Sequence, residues 1–122
     1  MPDAIRPTAP TMTEAKVDSA ATDTILVAGL AGYVIRVYQY FSVQDANAVL
    51  TFLDGVVALT GPITMFAGGA IFMPYSLAPW FTTTEGADLV LHQSAAAQLS
   101  GRIYYLQTLT GIYYRAPSGE NP

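Results

Sequence analysis

The sequence predicts an all-β fold: an antiparallel β-sandwich, jelly-roll-like, with an extended N-terminal arm. Three observations carry this. Short runs of β-branched and aromatic residues recur about every ten residues. Turn dipeptides separate them, notably Asp54-Gly55, Gly61-Pro62 and Gly68-Gly69, which supply either a positive φ or a preset one. No stretch carries a helical apolar period of normal length.

In chain order, residues 1–19 read as the arm. They contain Pro2, Pro7 and Pro10 and the charged Asp3, Arg6, Glu14, Lys16 and Asp18, with no apolar period to build a core. Residues 20–115 form the sandwich and residues 116–122 a polar tail. Thr24 to Val27 is a first short strand. Gly32 to Phe41 is the clearest strand, with Val34, Arg36, Tyr38 and Tyr40 expected on one face and Ile35, Val37, Gln39 and Phe41 on the other. Ala48 to Leu53 and Val56 to Thr60 make a hairpin about Asp54-Gly55. Ile63 to Phe66 and Ala70 to Met73 follow, flanking Gly68-Gly69. Pro74 and Pro79 exclude a central strand between them, and Trp80 to Thr84 reads as an edge strand. Leu89 to His92 and Gly101 to Thr108 are further strands, and Leu109 to Arg115 continues as a further strand or an arm.

Composition then bounds the function. The 122 residues suit one domain. Charged residues are 11% and apolar residues 52%, whereas an ordinary soluble domain has about 25% charged residues. No charged or histidine side chain occurs between Asp54 and Glu85. A membrane helix is not expected there, because Gly55, Gly61, Pro62, Gly68, Gly69, Pro74 and Pro79 would leave backbone groups unpaired in lipid. A signal-peptide pattern is not expected at the N-terminus either. A net charge of −4, a single lysine and scattered arginines argue against nucleic acid as a partner. Absent cysteine excludes disulfides and thiol chemistry. Two explanations of the missing charge stay open: a large partner interface, or a surface made of Thr, Ser, Gln and Ala.

Catalytic vocabulary is sparse. His92 is the single histidine, and Ser94 lies too near it in sequence for a good nucleophile–base pair on a strand. His92 is therefore expected to be hydrogen-bonded at a sheet edge. Asp45, Asp54, Glu85 and Asp88 fall at turns, where such residues cap their own backbone. No calcium-loop spacing or phosphate-binding glycine loop appears. No enzymatic role, catalytic residue, cofactor or metal is expected.

The aromatics remain. Phe41, Phe52, Phe66 and Phe72 are expected in the core. Tyr104-Tyr105 and Tyr113-Tyr114 are adjacent pairs on strands, so one of each pair must face away from its own core. Together with Trp80, and with Pro7 and Pro10 of the arm, they are the candidate interface residues.

One series of residues goes further. It runs from Arg36-Val37 through F-L-x-G at Phe52 to Gly55, L-T-G-P at Leu59 to Pro62, G-G at Gly68 and P-Y at Pro74. W-F-x-T-x-x-G from Trp80 to Gly86, L-x-L from Leu89 to Leu91 and G-x-I-x-Y from Gly101 to Tyr105 complete it. Over residues 23–107 the chain resembles the small β-sandwich domain of tailed-bacteriophage virion proteins, most of all the capsid decoration (cement) proteins. That resemblance implies a homotrimer on the outer capsid surface of the virion. It would bind the major capsid protein and stabilise the phage head by bridging capsomers, with no membrane partner. The alternative it leaves open is a head fibre, spike or receptor- or carbohydrate-binding domain of a phage virion.

Overall fold

A computed structural model describes residues 12–110. Ten strands run in chain order: β1 (Thr13–Ser19), β2 (Asp23–Val27), β3 (Tyr33–Gln44), β4 (Ala48–Asp54), β5 (Val57–Ala58), β6 (Ile63–Met65), β7 (Ala70–Met73), β8 (Phe81–Thr82), β9 (Leu89–Gln93) and β10 (Leu99–Leu109). They form two five-stranded sheets. The first has the order β1-β10-β3-β7, with β8 also on β3. The second has the order β2-β9-β4-β5, with β6 also on β4. All pairings are antiparallel. The all-β sandwich is thus as expected.

Side-chain alternation builds the core. Val17, Ile35, Val37, Tyr40, Leu99 and Ile103 from the first sheet meet Val27, Ala48, Leu50, Phe52, Leu89 and Leu91 from the second. Aromatic rings tie the layers together. Tyr40 and Phe52 pack edge-on at 5.3 Å, and Phe52 lies 4.9 Å from Phe81.

Three expectations are corrected. The sandwich starts earlier than residue 20, because Thr13–Ser19 pair with β10 along their whole length. Their charges conceal a period of two: Ala15 and Val17 turn inward while Glu14, Lys16 and Asp18 face water. Residues 1–11, with Pro7 and Pro10, lie outside the described residues. So do residues 111–122, with Tyr113 and Tyr114.

The faces of β3 also differ from strict alternation. Tyr104 opposes Gln39 and Tyr105 opposes Val37, which leaves Tyr38 as an extra residue in a β-bulge. The inward set therefore shifts phase, from Ile35 and Val37 to Tyr40, Ser42 and Gln44. Tyr40 enters the core, whereas Phe41 faces out.

The third correction concerns phenylalanine. Phe52 is core, but Phe41, Phe66 and Phe72 are exposed. Phe41 and Phe72 stand on the outer face of the first sheet and Phe66 lies in the turn after β6, with no further layer over them among the described residues.

The predicted hairpin forms. Asp54 pairs with Val57, and Gly55 and Val56 are the two central residues. Gly55 has φ +64° and stands first, the residue a type II′ turn places there.

Tyr40 donates a 2.7 Å hydrogen bond to the Ser42 hydroxyl. Desolvation by burial pushes the Tyr40 hydroxyl up to about 12, against a smaller lowering by that bond. The unfolded chain then loses this proton near pH 10, before the folded protein does. Stability is full below pH 10 and falls as pH rises toward 12, by roughly 2 to 3 kcal/mol. Urea titrations at pH 9 and pH 11.5 check this. The wild type is expected to lose more stability between the two than Tyr40→Phe does.

Candidate contact surface

Two of the sandwich's edges differ sharply in charge. β1 closes one side of the first sheet with Glu14, Lys16 and Asp18 on its outer face, and Arg102 of β10 pairs with Glu14. β2, the matching edge of the second sheet, carries Asp23. Beyond β3 and β4 on the other side lie β5, β6, β7 and β8. All four come from the charge-free stretch between Asp54 and Glu85. The turn from Phe66 to Gly69 links β6 in one sheet to β7 in the other, closed by a 2.8 Å bond from Gly69 N–H to the Phe66 carbonyl. Among the described residues, the uncharged sequence therefore forms this side of the sandwich.

That side is apolar as well as uncharged. Phe66 and Phe72 are about two-thirds exposed, at 67% and 65%, and Leu77 is exposed at 90%. Phe72 stands opposite Phe41, and Ala70 opposite Val43, so these share the outer face of the first sheet. Edge strands usually carry a charge, a proline or a bulge that discourages pairing. β7, with the sequence AIFM, carries none of these.

The segment between Pro74 and Trp80 is fixed rather than loose. Ser76 N–H donates to the Tyr38 carbonyl at 3.2 Å and Trp80 N–H to the Val37 carbonyl at 2.7 Å. The indole Nε1 of Trp80 donates to the Pro74 carbonyl at 2.8 Å, closing the loop on itself. The Tyr75 ring stacks on Tyr38 at 6.4 Å, the same tyrosine that the bulge leaves unpaired in β3. Leu77 sits at the apex of this brace. A rigid loop presenting a bare leucine has little entropy left to lose on binding.

The expected interface residues do not gather at one place. Trp80 lies on this side. Tyr104 is on the outer face of β10, across β3 from it, while Tyr105 packs against the core. Sequence inspection missed Phe41, Phe66, Phe72, Tyr75 and Leu77 as surface groups. Their position within the uncharged stretch was the available signal for four of them.

The polar groups serve structure. His92 Nδ1 meets Asp23 Oδ1 at 2.7 Å, but on the outer face of a central strand, not at a sheet edge. The Ser94 hydroxyl accepts from Val49 N–H at 2.9 Å. Three of the turn carboxylates, Asp45, Asp54 and Asp88, bond outside their own turns. Asp45 accepts from Gln98 N–H at 2.8 Å, Asp88 from Gly29 N–H at 2.7 Å, and Asp54 from the amide and hydroxyl of Thr84. Each ties one loop to another. Among the described residues, no three His, Cys, Asp or Glu side chains are grouped to hold a metal ion. No helix among them is long and apolar enough to cross a membrane.

No family model, curated protein or solved structure matches the chain.

Proposed function

We propose that this protein is a viral structural protein, a capsid decoration (cement) protein of a tailed bacteriophage. It sits on the outer surface of the virion head as a homotrimer and bridges capsomers of the major capsid protein. The observation that carries this reading is the uncharged side built from β5 to β8, with Phe66, Phe72 and Leu77 bare. The strand order supports the jelly-roll form of the sandwich, since the first four strands alternate between the sheets and the later ones return beside them. A partner that binds only the assembled shell stabilises that shell by its binding free energy. Contacts to several capsomers at once add avidity.

A second reading has its own support. The braced loop holds Trp80 and Tyr75 about half exposed, as a sugar-binding or receptor-binding head would require. The domain would then belong to a head fibre or spike.

Light scattering on the purified chain tests the assembly common to both, with a mass near three copies of 13.0 kDa expected. Virion imaging then separates them. Icosahedrally placed density on the head supports the decoration reading. Density confined to fibres or spikes, together with binding on a glycan array, supports the second.

A further inference from the structure

Asp54-Gly55 is the one Asp-Gly dipeptide of the chain. In such a pair the glycine amide nitrogen can attack the aspartate side-chain carbon. In the protonated, uncharged form of the side chain an N–C bond forms and the C–OH bond breaks, and the hydroxyl leaves with the amide proton as water. The resulting succinimide reacts with water at either carbonyl, giving back aspartate or giving isoaspartate, whose main chain is longer by one carbon. Glycine permits this because no side chain shields its nitrogen.

The fold restrains both reacting groups. The Asp54 carboxylate lies within 3.0 to 3.1 Å of the Thr84 amide and hydroxyl. The attacking nitrogen, Gly55 N–H, donates to the Asp88 carbonyl at 2.8 Å. Asp54 is further fixed by its neighbours on both sides, Val57 in β5 and Leu89 in β9. Attack requires the carboxyl to leave Thr84 and the amide to leave Asp88, and both partners sit in the loop joining β8 to β9.

We propose that Asp54-Gly55 is a latent isoaspartate-forming site, kept unreacted while the β8–β9 loop stays closed on the β4–β5 hairpin. Opening of that loop releases both groups, and the extra main-chain carbon then displaces the Asp54–Val57 pairing. The modification is a permanent record of loop opening.

Protein incubated at 37 °C and neutral pH, digested and mapped by mass spectrometry, gives the rate of isoaspartate formation at residue 54. The urea-unfolded chain supplies the unrestrained rate. Folded wild type is expected to react at least about tenfold more slowly, which corresponds to about 1.4 kcal/mol of barrier. Thr84→Val, which removes the hydroxyl contact, is expected to react faster than wild type, and Thr84→Ser to return to the wild-type rate. Should Thr84→Val not fold, the folded-to-unfolded ratio of the wild type decides alone. Equal rates in folded and unfolded wild type overturn the proposal, as does a folded Thr84→Val that reacts no faster than wild type.

Discussion

Replacing Phe52 with alanine is expected to destabilise the protein by about 4 kcal/mol, near the upper end for a truncated core aromatic. Phe52 is the ring on which the two layers meet. It comes from β4 in the second sheet and packs against Tyr40 and Phe81 from the first, at 5.3 and 4.9 Å. Removing it leaves a cavity bounded by two further rings whose backbones are held by sheet ladders, so the gap cannot close by small shifts. Small domains have only about 5 to 15 kcal/mol in total, and the variant should unfold at markedly lower urea. Phe72→Ala provides the contrast. Its side chain is mostly exposed, and the change should cost well under 1 kcal/mol. Equilibrium urea unfolding measures both.

Gly101→Ala is expected to be nearly as damaging, at about 3 kcal/mol, through crowding rather than a void. Gly101 pairs with Ser42 at the centre of the first sheet. An added Cβ would overlap the Phe41 carbonyl oxygen and lie 2.7 Å from its carbon and from the Ser42 Cα. All are backbone atoms, and β3 is fixed on its other side by β7. No side-chain rotation relieves the clash, so β10 must shift away from β3 or the pairing must break. A melting temperature within a few degrees of wild type would show that the strands can part cheaply there.

Much of this fold is legible in the chain because its strands are short and its turns explicit. Ala48 to Asp54 alternates cleanly, ends in Asp-Gly and forms the expected hairpin. What is hidden depends on partners. The bulge at Tyr38 arises from the register of β3 against β10, and no pattern within β3 alone signals that Tyr40 rather than Phe41 turns inward. β1 is masked because its inward residues are only alanine and valine between charges. The exposed phenylalanines are misplaced for a related reason: hydrophobicity alone does not say whether a second layer lies above a strand. The bonds from Asp45, Asp54 and Asp88 are invisible because each joins residues far apart in sequence. The uncharged stretch itself was plain. That it forms a single side of the sandwich emerges only from the topology.

The most direct test of that side as a contact surface is the solution mass of wild type beside Phe72→Asp/Leu77→Asp. Both positions are exposed in the single chain, so the charges should leave its folding intact, which circular dichroism and thermal melting verify. They would, however, place uncompensated carboxylates inside any interface formed there. A contact surface on this edge predicts a wild type near three copies of 13.0 kDa and a folded variant at one copy. A wild type at one copy, or a variant that still assembles at three, would contradict it.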